Sequence, residues 1–296
     1  MSRFIILCAG LACLGLALFW TLTRPNQSSP DRLAALVGDA DRGSTVFAAG
    51  GCASCHAAPN AEGDDKAVLS GGLAFSTAFG TFYAPNISPD PDAGIGGWSS
   101  TELADAMQHG VSPDGDHYYP AFPYASYIHA SDQDVVDLSA FLSTLPASQT
   151  PNRAHDVSFP FNIRRGLGLW KLMFVQSEWV AQQQDTPELI RGRYLVEGLG
   201  HCAECHTPRN ALGGLDRSQW LRGAPSPDGK GKIPALTPDA LDWSAKDIAY
   251  YLETGFTPDF DSAGGEMVDV IENMSKLSAT DRNAIAAYLK TLPSGS

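Results

Sequence analysis

Positive charge is scarce in this chain: 20 Lys and Arg stand against 33 Asp and Glu, giving a formal net charge of −13. The N-terminal segment up to Arg24 holds Arg3, Arg24 and no acidic residue, so removing those two positive charges leaves −15 for the rest. A surface of that sign repels phosphate backbones and excludes nucleic acid as a partner. Spare cysteine is also lacking. Of six, Cys8 and Cys13 lie in an apolar N-terminal stretch and the other four fall in two short motifs, so none is left for a disulfide framework. Period-two alternation is largely missing, which argues against an extended sheet. No appended signalling domain is evident either, which leaves a sensor role without support.

The apolar stretch itself runs from Phe4 to Leu22 between Arg3 and Arg24. It is long for a signal-peptide core and long enough to cross a bilayer. No small-x-small cleavage site of the Ala-x-Ala kind follows it, and Phe19 and Trp20 suit an interface better than a peptidase. We therefore expect residues 1–24 to form an uncleaved transmembrane anchor rather than a removed signal segment. One arginine on either side leaves the orientation undecided by the positive-inside rule.

What the sequence does contain is an internal repeat. Cys52-Ala-Ser-Cys-His-Ala-Ala-Pro-Asn60 matches Cys202-Ala-Glu-Cys-His-Thr-Pro-Arg-Asn210 at an offset of 150 residues. Upstream, Arg42-Gly43 mirrors Arg191-Gly192. Downstream, Ala84-Pro85 through Asp90 mirrors Ile233-Pro234 through Asp239, and Trp98-Ser99 through Glu102 mirrors Trp243-Ser244 through Asp247. Ser99 and Ser244, each three residues before an acid, predict helix-starting capping boxes, and Gly110 and Gly255 predict left-handed stops. Ser131 with Asp134 and Ser278 with Asp281 predict a second pair of boxes, opening helices that end before Pro146 and Pro293. Each half thus reads as a small all-α domain with long Gly/Pro/Asp-rich loops, and loops of that length imply a large buried group that fills the space. Between the halves, Phe159-Pro-Phe-Asn-Ile163 and Leu167 through Phe174 are too apolar for a free linker. They are expected to pack between the domains, with docking on a membrane partner as the second reading.

The repeated motif is Cys-x-x-Cys-His, at Cys52-Cys55-His56 and Cys202-Cys205-His206. Two cysteines on one helical turn reach the two vinyl groups of one porphyrin, and the adjacent histidine then meets the iron. This predicts two covalently bound haem c groups with His56 and His206 as proximal metal ligands. A redox-active Cys-x-x-Cys expects a βαβ context, and zinc needs ligand spacings that are missing. Because the thioether bonds are made outside the cytoplasm, both domains are expected there too. Pro85 and Pro234 follow the motifs at equivalent distances, and a carbonyl beside such a proline can accept the Nδ1 proton of the ligand histidine. Trp98 and Trp243 are candidates to hydrogen-bond a haem propionate, or are plain core residues.

The sixth ligand sets the redox behaviour, since Met opposite His raises the potential and closes the iron to small molecules. In the second half Met267, in a glycine-flanked loop, is preferred to Met274, which sits among apolar neighbours. The corresponding loop of the first half, Asp114 to Tyr124, has no methionine. His117 in that loop ranks first as metal ligand there, ahead of His129 and of Met107, which reads as core; an open or water-bound iron is the remaining option.

With these residues in hand, both halves resemble the cytochrome c subunits of bacterial membrane-bound alcohol, aldehyde, gluconate and sorbitol dehydrogenases. The resemblance rests on Phe79 through Ser88, Gly94 through Ser99, Asp114 through Tyr124, Pro151 through Ile163 and Glu266 through Leu292. It implies an all-α fold of two tandem class I cytochrome c-like domains after the N-terminal transmembrane helix. The expected division is 1–24 anchor or signal segment, 25–146 first domain, 147–185 packed linker and 186–296 second domain. It also implies an electron-transfer subunit in the bacterial inner membrane, its soluble domains facing the periplasm. Such a subunit takes electrons from a membrane-bound or periplasmic dehydrogenase and passes them to quinone or a terminal oxidase. The chain departs from the resemblance in having two haem motifs where the better-known members have three, and in having Phe122 where many have Met. The competing reading is a dihaem enzyme of peroxidase or thiosulfate-oxidising type, with its chemistry at haem 1.

Overall fold

A computed structural model describes residues 2–181, 185–226 and 231–294. Positions 182–184 of the expected linker, and 1, 227–230 and 295–296 of the flanking segments, lie outside the described residues. The first element, α1 (Ser2–Leu22), is apolar from Phe4 onward and touches the rest of the described residues only near its end, where Arg165 covers the ring of Trp20. The chain then changes character abruptly, for Thr23 is fully buried.

Two helical halves follow, built alike. In the first, α2 (Ala40–Ala49) leads to α3 (Cys52–His56), a middle helix α4 (Ser100–Ala104) runs on through a π-type turn over Asp105–His109, and α5 (Tyr124–Tyr127) precedes α6 (Asp132–Leu142). A linker helix, α7 (Leu167–Phe174), comes next. In the second half α8 (Pro187–Arg193) continues through a π-type turn over Tyr194–Leu199 to α9 (Ala203–His206), followed by α10 (Ala245–Thr254), α11 (Met267–Met274) and α12 (Ala279–Leu289). Gly110 and Gly255 end the middle helices in the left-handed conformation, at φ 59 and 75. Ser99–Glu102 and Ser244–Asp247 form the reciprocal boxes that the spacing predicts.

Ser131 and Ser278 cap α6 and α12, but their acidic partners do not reach back. Asp134 takes the hydroxyl of Tyr194 and Asp281 takes the guanidinium of Arg191 at 2.7 Å. Tertiary bonds to a carboxylate outcompete the local one, so half of each expected box is missing. Two short antiparallel hairpins also appear, β1 (Ala74–Thr77) with β2 (Gly80–Tyr83) and β3 (Ala224–Pro225) with β4 (Lys232–Ile233), pairing Ala74 with Tyr83 and Ala224 with Ile233. Each leads directly into Pro85 or Pro234.

The core of each half is the crossing of its first and last helices, α2 on α6 and α8 on α12. The residues mirrored in the sequence explain how close that crossing is. A Cβ on Gly43 would overlap the carbonyl of Asp137 and the side chain of Phe141; one on Gly192 would overlap the carbonyl of Ala284 and Tyr288. Val46, Val135 and Leu138 fill the first crossing, and Leu195, Ile285 and Leu289 the second. Glu197 is buried in this second core with its carboxylate satisfied by Tyr288 and by the backbone N–H groups of Val180 (2.8 Å) and Ala181 (3.1 Å). Three donors offset the desolvation of that charge, and the contact ties the end of the linker to the second half.

The halves meet through equivalent positions used twice. Ser54, two residues before His56, accepts from Asn273, five residues before the cap Ser278, at 2.8 Å. Glu204, two residues before His206, accepts from Ser126, five residues before the cap Ser131, at 3.4 Å. Lys66 adds ion pairs to Asp269 and Glu272 at 2.8 and 2.6 Å. Between the halves α7 bridges both, with Lys171 donating to the carbonyl of His109 (2.7 Å) and Trp170 to that of Leu212 (2.9 Å).

The crossing gives a direct test. Gly192→Ala is expected to cost about 1–3 kcal/mol, because the added methyl has nowhere to go without parting α8 from α12. Gly264→Ala, with open space around the site, is the control. Thermal denaturation followed by circular dichroism should show a midpoint lowered by several degrees for the first and unchanged for the second; equal midpoints would dispose of the close crossing.

Candidate haem-binding sites

Each motif helix starts from a left-handed residue. Before Cys52 it is Gly51, φ 58, which costs little; before Cys202 it is His201, φ 38, which costs more because a side chain must be carried there. His201 recoups this across the interface, where its Nε2 lies 3.3 Å from the carbonyl of Gly50 and its ring meets Tyr127 edge-on at 5.5 Å.

The two histidines are held identically. Nδ1 of His56 donates to the carbonyl of Pro85 at 2.9 Å, and Nδ1 of His206 to that of Pro234 at 2.7 Å. The expectation drawn from proline spacing therefore holds in both halves. A proton fixed on Nδ1 leaves the Nε2 lone pair free, the tautomer that a metal requires. Burial pushes both imidazoles to lower pKa against the raising effect of the carbonyl, which keeps them neutral. The backbone is clamped from the other side as well. Gly71 and Gly223 donate to the carbonyls of His56 and His206, each at 2.7 Å, and both sit at positive φ with proline-segment backbone where a Cβ would be.

The four motif thiols are unpaired. Burial pushes Cys52 and Cys202 up to about 12 and Cys55 up to about 11. Redox-active Cys-x-x-Cys sites depress a thiol to favour thiolate, so these are not built for disulfide exchange. Nor is there, among the described residues, a group of three or more His, Cys, Asp or Glu side chains placed to hold a metal ion. Thiols in pairs beside an imidazole with its Nε2 free fit a thioether-linked haem in both halves. The sites are also neighbours: charge on Cys205 raises the pKa of Cys55, and Glu266 raises both.

On the opposite side the halves differ. Met267 is the first residue of α11, half-buried, rather than part of a loop, while Met274 is buried in the core. In the first half Met107 is buried in the π-type turn. His117 is almost fully buried with both ring nitrogens spent: Nε2 lies 2.8 Å from the carbonyl of Thr23, and Nδ1 3.0 Å from Nζ of Lys171. Neither is left to meet a metal. His129 stacks flat on Trp179, centroids 3.8 Å apart. Phe122 packs edge-on against Tyr118 and Tyr127. Trp98 is half-buried, and Trp243 meets Tyr251 edge-on at 5.1 Å.

Two helical domains, each opening on Cys-x-x-Cys-His with its histidine clamped to a proline carbonyl, define a c-type cytochrome of two haem domains. The chain belongs to the Cytochrome c family, which matches it twice, over residues 40–146 and 190–293. It is 59% identical over 290 residues to a diheme cytochrome c-type protein of Cereibacter sphaeroides, covering 97% of this chain and 98% of that one. It is 38% identical to the gluconate 2-dehydrogenase cytochrome c subunit of Pantoea cypripedii and 35% identical to the fructose dehydrogenase cytochrome subunit of Gluconobacter japonicus. Those matches cover 85% and 94% of this chain but only 59% and 57% of the two relatives. The function that follows is electron transfer in the periplasm by a dihaem cytochrome c.

His129 generates a pH test. Desolvation, then Arg217 and Arg193, hold it down to about 4, whereas an unfolded histidine titrates near 6.5. As pH falls through that window the unfolded chain takes up the proton first, so stability is present above about 6.5 and lost toward about 4. His129→Phe keeps the stack on Trp179 and removes the titration. Its thermal midpoint should fall less than that of the parent between pH 7 and pH 4.5; parallel curves would refute the assignment.

Proposed function

We propose that the chain carries two covalent haem c groups, one on Cys52, Cys55 and His56 and one on Cys202, Cys205 and His206, and relays single electrons between them. Each haem supplies a one-electron iron couple. The residues of the chain supply orientation and spacing: Pro85 and Pro234 fix the two imidazoles, and the Ser54–Asn273 and Glu204–Ser126 bonds hold the motif helices against each other. The observation that carries this reading is the doubled motif with its doubled histidine clamp.

For haem 2 we assign Met267 as the residue that would hold the iron together with His206, from its place in the second half directly after Gly264, Gly265 and Glu266, at the first position of α11. For haem 1 His117 is set aside, since both its nitrogens are engaged, and with Met107 in the core and His129 stacked, His56 is the one described residue of the first half assigned to hold the iron, which would leave it open to an exchangeable ligand. The domains are taken as 25–146 and 186–296, with 147–185 as the packed linker.

The proposed donor is a dehydrogenase, as the names of the relatives suggest, and the acceptor is quinone or a terminal oxidase. The protein would be anchored by α1 in the bacterial inner membrane with both domains in the periplasm. Support for a retained anchor comes from its last turn. Thr23 is buried under His117, Arg165 and Gly168, and Arg165 also covers the ring of Trp20 at 4.3 Å. Cleavage would empty that socket. The intact mass of the protein purified from membranes is accordingly expected to include residues 1–24.

Haem stoichiometry and ligation test the rest. Replacing Cys52 and Cys55 with Ala should halve the covalently bound haem c per chain, measured as pyridine haemochrome. Met267→Ala should lower one of two reduction potentials and leave the other in place. The ferrous protein should bind carbon monoxide at one haem without turning over peroxide. Peroxide or thiosulfate turnover at that haem would replace the carrier with the dihaem enzyme.

A further inference from the structure

The linker helix α7 inverts the usual order of an amphipathic helix. Gly168 lies against Thr23, Lys171 donates to the carbonyls of His109 and Gly110, and Trp170 and Phe174 pack on Leu212 and Gly214 of the second half. The side left over carries Leu169, Leu172 and Met173, with Leu172 62% exposed. Just upstream Phe159, Phe161 and Ile163 are exposed as well, Phe159 at 77%. An apolar patch of this kind marks an interaction surface.

Its position says which surface it meets. The patch begins where α1 ends: Arg165 donates to Oγ1 of Thr23 at 2.9 Å and to the carbonyl of Trp20, and its guanidinium covers the Trp20 ring. Leu172 is one helical turn from Gly168, about 6 Å along the axis. The polar layer of a bilayer is about 5–8 Å deep on each side. A span ending at Leu22 therefore puts Trp20 in the aromatic belt and brings α7 to the depth of the headgroups. Charge agrees. From Val157 to Ser177 the chain has no acidic residue, within a protein of net charge −13, and it holds Arg164 and Arg165 besides Lys171, whose amine is turned inward onto the carbonyls of His109 and Gly110. This segment can approach anionic headgroups without repulsion.

We propose that residues 159–173 form an interfacial membrane-binding patch. Its apolar face rests in the headgroup layer beside α1 and so fixes how the two haem domains stand on the bilayer. This rests on the reading of α1 as an anchor, and the test separates the two. Full-length, haem-loaded protein lacking Cys8 and Cys13 (each changed to Ala) is placed in phosphatidylglycerol–phosphatidylethanolamine nanodiscs and treated with a charged, membrane-impermeant maleimide. Single Leu172→Cys and Met173→Cys variants should react about ten-fold more slowly than Phe260→Cys, at a residue 96% exposed in the second half. Leu18→Cys, inside α1, should be unreactive. If Leu18→Cys is protected while Leu172→Cys and Met173→Cys react like Phe260→Cys, the patch proposal fails and the face is left to a protein partner. If Leu18→Cys also reacts freely, the anchor fails and the patch with it.

Discussion

The bond from Nδ1 of each motif histidine to a proline-flanked carbonyl is the constraint around which both halves are built. It sets the tautomer and the rotation of the ring together, so the loop carrying Pro85 or Pro234 must lie directly against the motif helix. That closeness forces glycine at 71 and 223, where proline-segment backbone occupies the space of a Cβ. It also accounts for the hairpins, whose second strands deliver Pro85 and Pro234 in a fixed register. Rigid support of a single imidazole thus extends through some thirty residues of loop that would otherwise be loose.

A second order of structure is laid on the duplicated one. The contact between halves uses the same two positions of the repeat in both directions, the residue before the second motif cysteine and the residue five before the last cap. Such reciprocity is the signature of a two-fold interface, here within one chain. Its individual bonds are modest, on the order of 1 kcal/mol each, but they attach to the motif helices themselves. In the proposed relay that spacing would set the distance an electron crosses, and α7 is bonded to both halves.

Much of this was legible in the sequence, and the limits have physical reasons. The motifs, the proline clamps, the left-handed stops at Gly110 and Gly255 and the caps at Ser99 and Ser244 are local chemistry, readable from spacing. The reciprocal halves of the boxes at Ser131 and Ser278 were not, because Asp134 and Asp281 answer to Tyr194 and Arg191, more than fifty residues away. The hairpins have two to four residues per strand, too short for alternation to register. Gly264 and Gly265 made the approach to Met267 read as loop, though α11 begins at that residue. Glu197 sits in a run that reads as apolar helix, and only Tyr288 and the backbone of Val180 and Ala181 explain it. The strained φ of His201 leaves no trace in its residue type.

The asymmetry between the halves follows from where the end of α1 attaches. The loops after the middle helices begin alike: Val111 bridges to His117 as Phe256 bridges to Ser262, and Tyr118 and Ala263 each donate back to the capping glycine, at 2.7 and 2.8 Å. His117 and Ser262 are therefore equivalent positions. In the second half that position faces solvent, and the chain goes on to Met267 unencumbered. In the first half it holds Thr23 through one ring nitrogen and Lys171 through the other, with Arg164 bonded to its carbonyl at 3.1 Å. A loop that fastens α1 and the linker to the domain is not free to reach across a haem. Its burial also keeps His117 neutral, with Nε2–H donated to Thr23 and Nδ1 accepting from Lys171, so the fastening is made by the imidazole that ranked first, ahead of His129, as a second ligand for the iron of the first half.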